Sequence, residues 1–346
     1  MSLRPTRAAA AIAATLAAAA LAGCGGAQSG DPASDGQTLT IYSGRNEALV
    51  EPLLDRLEEE VGVPVEVRYA ATAELAAQLL EEGEGTEADL FFSQDAGALG
   101  ALKNADRLAE LPQAVLDRVP EHYRDADGRW VATSARARVL GYDPEVAPEV
   151  AEFTGIDQVL DERYRGKLGF APTNASFQSF VTALRVDRGD EGARQWLEDF
   201  AALDPQAFDN NIAVLDAIEA GQVSIGLINH YYWYERVAEK GEDGVAARIR
   251  FLASDDPGAL VNVAGVGVLQ GSDMADAAVA AAAFLLSDEA QQYFADETAE
   301  YPVVDGITSS THDLVPLSEL SGYVVDLNAL DSLEETLAML DEVGLT

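Results

Sequence analysis

The apolar positions of the chain alternate between two periods. Residues 39–42, Leu-Thr-Ile-Tyr, form a short β-type run that ends at Ser43 and Gly44. Leu49, Leu53, Leu54 and Leu57 then share one face of a helix predicted over 47–60, because residues three and four apart lie on one side of a helix. Val63, Val65, Val67 and Tyr69 alternate as a strand, and Leu75, Leu79 and Leu80 predict a helix over 74–82. Residues 88–92 read as a buried strand, with a helix beginning over 96–102. This β-α-β-α-β order predicts a parallel sheet with helical crossovers. It recurs as strand 167–171, helix 177–185, strand 223–228 and a helix after Asn229, which is placed to cap it. Two α/β units predict two lobes. Ligands of such sheets sit at the C-terminal ends of the strands, so the loops at 43–47, 93–95, 172–176 and 229–232 are the expected site.

The first residues have a different pattern. Arg4 and Arg7 precede an apolar stretch over 8–21 that is too short to span a bilayer. It ends in Leu21-Ala22-Gly23-Cys24, small residues suited to signal-peptide cleavage. The ending resembles a bacterial lipoprotein signal, which implies that residues 1–23 are removed and the Cys24 thiol is acylated. Cys24 is the only cysteine, so no disulfide framework exists. Residues 24–37, rich in Gly, Ser, Asp and Gln, read as a flexible tether. The Ala-rich stretch at 277–286 is flanked by Asp276 and Asp288 and reads as a core helix.

Composition narrows the partners. The 346 residues carry 22 Lys and Arg against 60 Asp and Glu, a net charge of −38. That balance excludes nucleic acid, whose phosphates require a basic patch, and electrostatic docking on anionic lipid. A hydrophobic share of 48% suffices for a sizeable core and excludes disorder. A cation, a neutral small molecule or another protein remains, while the acids themselves read first as a solvated surface. Removing residues 1–23 takes away two arginines and no acid, leaving 20 basic residues against 60 acids, a charge of −40. Enzyme signatures are missing: there is no Gly-x-Ser-x-Gly elbow, no P-loop and no zinc-type spacing.

One segment carries chemistry. Tyr231, Tyr232, Trp233 and Tyr234 follow the strand over 223–228. At a strand-to-helix junction Tyr231 and Tyr232 can face one cleft. A phenol ionises near a pKa of about 10, and a highly charged, hard cation such as ferric ion best repays removing that proton. Aromatic packing at a domain interface, or a stacking platform, is the alternative.

Six segments bear on that choice. They are Leu39-Thr-Ile-Tyr-Ser-Gly-Arg45, Ala88-Asp-Leu-Phe-Phe-Ser93, Trp130-Val-Ala-Thr-Ser-Ala-Arg-Ala-Arg-Val-Leu-Gly-Tyr-Asp143, Gly169-Phe-Ala-Pro-Thr-Asn174, Leu227-Ile-Asn-His-Tyr-Tyr-Trp233 and Asp256-Pro-Gly-Ala-Leu260. In this order the chain resembles the ferric-iron-binding proteins of bacterial ABC importers. The resemblance implies an α/β fold of the two-lobed periplasmic-binding-protein type (class II), hinged by two chain crossings near 133–138 and 261–265. The lobes are expected over 38–135 plus about 263–310, and over 136–262 plus about 311–346.

The resemblance also implies a site. Tyr231 and Tyr232 match the family's tyrosine pair, and Tyr142 matches a third tyrosine of some members. Asn46 and Gln94 stand where many members have a histidine and a glutamate; with Glu47 they are further positions for the ion or for groups behind its ligands. Arg45 is the expected partner of a carbonate, phosphate or citrate that completes the site, with Arg136 and Arg138 behind it. Asn174, Ser176 and Asn211 match positions that contact this anion. His230 is expected to face away. The implied protein is a monomeric solute-binding protein, lipid-anchored on the outer face of the cytoplasmic membrane or in the periplasm. It captures Fe(III) and delivers it to an ABC permease. With the histidine and glutamate replaced, an iron chelate, a phosphonate-like anion or another small organic solute is the alternative cargo; a hydrolase or lyase on the same scaffold is the alternative of another class.

Overall fold

The structure, a computed structural model, describes residues 37–320 and 326–346. The expected signal peptide, Cys24 and nearly all of the tether lie outside the described residues. Among the described residues nine strands form one continuous sheet: β1 Leu39–Ser43, β2 Val65–Tyr69, β3 Leu90–Ser93, β4 Val131–Tyr142, β5 Leu168–Phe170, β6 Gln206–Ala207, β7 Ile225–Asn229, β8 Arg248–Arg250 and β9 Val261–Val268. Their order is β2-β1-β3-β9-β4-β7-β5-β6, with β8 also paired to β4. β1 lies parallel between β2 and β3, and β5 lies parallel between β6 and β7. The β-α-β units predicted by periodicity therefore build the two ends of the sheet.

β4 joins them. From Val131 to Ala137 it pairs antiparallel with β9, and from Arg138 to Tyr142 with β7 and β8. Every one of its residues is buried, as a central strand covered on both faces requires. The partner exchange at Ala137 and Arg138 divides the molecule into two lobes, each with its own core. Leu39, Ile41, Phe91, Phe92 and Trp130 sit in the first. Phe170, Phe177, Phe180, Trp196 and Phe200 anchor the second. There Trp196 stacks on Phe200 at 5.1 Å and meets Phe180 edge-on at 5.3 Å. Each such burial contributes about 1.5–3 kcal/mol.

Three local expectations change. The helix expected over 47–60 is two, Glu47–Leu54 and Leu57–Val61, separated by a turn at Asp55 and Arg56; Pro52 inside the first removes a rung. Asn229 does not cap the helix Tyr231–Lys240: it ends β7, and His230 takes the flanking position with helical backbone angles. The C-terminal segment was assigned wholly to the second lobe. Its Leu320, Leu327, Leu330 and Leu333 pack in the first core, and Met339, Leu340 and Leu345, with partly buried Val343, in the second.

Candidate functional site

Loops at the C-terminal ends of β1, β3, β5 and β7 converge between the lobes. They line a cavity of about 220 Å³ with Arg45 and Asn46, Gln94, residues 173–175 and Tyr232, joined by Asp209 and Asn210. Thr72 fixes the first two loops: its Oγ1 donates to the Gly44 carbonyl at 3.2 Å and accepts the Gln94 N–H at 3.2 Å. Only glycine fits at 44, since a Cβ there would lie 2.0 Å from that hydroxyl. Asn46 caps the helix Glu47–Leu54 by accepting the Ala48 N–H at 3.1 Å.

Tyr231 and Tyr232 are buried, with ring centroids 4.1 Å apart. Of the pair, Tyr232 lines the cavity. Gln94 crosses from the first lobe, its Nε2 donating to the Tyr231 hydroxyl at 3.4 Å. Asn174, Ser176 and Asn211 come together beside them. Asn174 Oδ1 accepts from the Ser176 N–H at 3.0 Å and from Ser176 Oγ at 2.7 Å, which caps the helix Ala175–Ala202. Asn211 Nδ2 donates to Ser176 Oγ at 3.1 Å. Arg138 Nη1 donates to the same hydroxyl at 3.0 Å. Arg138 is thus buried inside this cluster.

Other expected residues lie elsewhere. Tyr142 does not join the pair: β4 places Arg138 opposite Asn229 but Tyr142 opposite Ile225, four residues or about 13 Å further along the strand. It packs in the second core with Leu140 and Tyr164. Glu47 faces a separate hollow of about 300 Å³ with Glu51, Asp55 and Tyr69. Arg45 reaches the cavity, yet its charge is already matched: Nη2 donates to Glu300 Oε2 at 2.7 Å, with both side chains buried.

The family of bacterial extracellular solute-binding proteins matches residues 86–321. The major ferric iron-binding protein of Neisseria meningitidis serogroup B is 31% identical over 312 residues, 89% of this chain and 93% of that protein. The Fe(3+)-binding periplasmic protein of Serratia marcescens is 31% identical over 314 residues, covering 90% and 92%. Iron-bound HitA of Pseudomonas aeruginosa superposes with a TM-score of 0.83 at 33% identity, over 89% of this chain and 99% of that one. The chain belongs to the ferric-iron-binding branch of these solute-binding proteins.

The electrostatics of this binding protein's cleft rest on groups hidden from solvent. Burial pushes the Tyr231 phenol well above 10; Tyr232 and Glu300 push it further, while Arg136 opposes them. Burial also raises Tyr232, against hydrogen bonds from Tyr231 and Asn211 and the charge of Arg136. Both phenols are therefore neutral without a cation. Arg136 is buried, and none of its three guanidinium nitrogens has a hydrogen-bond partner among the described residues. Arg138 is lowered to about 9 by burial, with Tyr232 and Tyr231 countering. Of these two buried arginines Arg138 is held by Ser176 Oγ and the Leu227 carbonyl, while Arg136 is left without a hydrogen-bond partner among the described residues.

Three participants were not singled out from sequence. Glu300 holds Arg45 from 255 positions away, a separation that no local pattern reveals. Asp95 caps the helix Ala96–Asn104, where burial raises its carboxyl and Arg136 lowers it. Glu235 lies one turn beyond the tyrosine pair on the same helix; helical spacing alone could have found it.

Proposed function

We propose that this solute-binding protein captures Fe(III) between its lobes through the phenolates of Tyr231 and Tyr232 and delivers it to an ABC permease. The tyrosine pair carries the reading: two adjacent phenols, ring centroids 4.1 Å apart and buried, beside Arg136, whose charge favours phenolate. Ferric ion supplies the remaining drive, because a trivalent cation outweighs the desolvation that keeps the phenols protonated. The names of the Neisseria and Serratia relatives support the same cargo.

Two phenolates leave one charge of Fe(III) uncompensated. A carbonate, phosphate or citrate fits beside them, held by the Asn174, Ser176 and Asn211 cluster with Arg138 and drawn by the unpartnered Arg136 guanidinium. Arg45 serves as a structural ion pair in this reading, and Tyr142 takes no part. The cavity of about 220 Å³ lies below the ~300–1,000 Å³ typical of organic-ligand pockets, which favours an ion with a small anion over a bulky chelate. Acylation at Cys24 anchors the domain outside the cytoplasmic membrane. Among the described residues no helix is long and apolar enough to cross a membrane. Titrating ferric nitrilotriacetate into the apo-protein tests the reading. A visible tyrosinate-to-iron charge-transfer band is expected, and its absence, with thermal stabilisation by an organic anion alone, rejects iron as the cargo.

A further inference from the structure

We infer that Glu235 supplies a third anionic oxygen to the same cargo. The inference rests on the Fe(III) reading above and concerns a residue outside the tyrosine pair and the anion cluster. The helix Tyr231–Lys240 sets the direction. With 3.6 residues per turn, Tyr232 is rotated about 100° from Tyr231 and Glu235 about 40°. Glu235 therefore projects from the arc between the two phenols, one turn along. Its surroundings agree. Its charge acts on Tyr232, and Glu300 acts both on Glu235 and on Tyr231, so these groups share one neighbourhood.

The carboxylate lacks a counter-charge of its own. Glu235 Oε1 is shielded from solvent and has no hydrogen-bond partner among the described residues. The two arginines that act on it, Arg45 and Arg236, are engaged elsewhere: Arg45 with Glu300, and Arg236 with Asp216 and Glu219. Glu235 is half-buried with Oε1 shielded, and an unmatched carboxylate there is costly unless it takes up a proton or a cation arrives. Carboxylate is a hard oxygen donor like phenolate. Two phenolates and one carboxylate carry three negative charges, which neutralises Fe(III) with donors from one helix.

The test uses the full chain with ferric nitrilotriacetate as the probe. Glu235→Gln should keep a charge-transfer band, shifted to longer wavelength because the iron loses an anionic donor, with affinity against citrate competition at least about tenfold weaker. Glu235→Asp should recover part of both changes, which a purely structural role would not couple to the colour. A wild-type band that Glu235→Gln leaves unmoved, at unchanged affinity, overturns the inference while the tyrosine reading stands. A wild-type protein without the band overturns both. If Glu235→Gln fails to fold, Glu235→Asp carries the test: a band shifted to longer wavelength with weakened affinity supports the inference, and a wild-type band at wild-type affinity overturns it.

Discussion

His230 Nδ1 accepts the backbone N–H of Ala137 at 3.2 Å, while the His230 N–H donates to the Ala137 carbonyl at 3.1 Å. This two-way link ties the residue preceding the tyrosine pair to β4 where that strand changes lobes. The imidazole also stacks on Tyr301 at 4.7 Å. The imidazole thus faces β4 and Tyr301.

That environment fixes a pH dependence. Burial lowers the His230 pKa to about 3, against about 6.5 in an unfolded chain. Between these values the unfolded state binds the proton and the folded state does not, so stability falls as pH falls. The contribution is complete above about pH 6.5 and declines by about 1.4 kcal/mol per pH unit below it. Urea unfolding of the wild type and of His230→Gln at pH 7 and pH 5 isolates the effect. The wild type should lose about 2 kcal/mol more than the variant. Equal losses would mean that the imidazole is not held neutral.

Iron uptake should release protons. Burial keeps the Tyr231 and Tyr232 phenols protonated in the empty cleft, and a ferric ion binds them as phenolates. One proton leaves per phenol, so with Glu235→Gln removing a third proton the apparent affinity should rise about 100-fold per pH unit around neutrality, after correction for the competitor. In that background Tyr232→Phe should reduce the slope to about tenfold and weaken the band. An affinity that does not change with pH would remove both phenols from the coordination sphere.

The arginines of the cleft should separate by function. Arg45 and Glu300 form a buried pair at 2.7 Å. Arg45→Met strands the Glu300 carboxylate, so stability should drop by about 3–5 kcal/mol whichever anion is present. Arg136 has no hydrogen-bonded partner among the described residues. Arg136→Met should cost the apo-protein little stability, yet weaken iron binding most where carbonate or phosphate is supplied. Unfolding curves and iron titrations with and without added anion distinguish the two. An Arg136→Met protein with unchanged, anion-independent binding would exclude Arg136 from the site.

Periodicity foretold the β-α-β units because their apolar positions repeat locally, and the tyrosine pair stood out because its residues are neighbours. The errors come from relations that sequence does not display. Tyr142 looked like a ligand until the register of β4 with β7 put it beside Ile225. Glu47 sits next to Asn46, yet one step around a helix turns it to another hollow. Arg45 is an expected anion partner, and the sequence around it does not show Glu300, 255 residues distant. Helical spacing puts Glu235 one turn past the pair, but in a chain with 60 acids its shielded, unpartnered Oε1 is what sets it apart.

The C-terminal segment should act as a strap between the lobes. Leu330 and Asp331 press on the helix Ala96–Asn104 of the first lobe, where a Cβ on Gly97 would lie 2.6 Å from the Leu330 carbonyl and one on Gly100 would lie 2.6 Å from Asp331 Cβ. The helix Leu333–Glu342 continues onto the second lobe. There the Thr336 and Thr182 hydroxyls lie 2.7 Å apart, and Arg185 donates to the Ser332 carbonyl at 2.9 Å and to Thr336 Oγ1 at 3.0 Å. Hinge motion that opens the cleft must therefore strain or slide this contact, because the strap touches both bodies. Gly100→Ala forces Asp331 away and should cost about 1–3 kcal/mol by overpacking. It should also raise hydrogen exchange over residues 326–346 and shift the lobes toward the open arrangement, weakening iron binding without moving the charge-transfer maximum. Unchanged exchange over that segment in a folded Gly100→Ala protein would show that the strap is not held there.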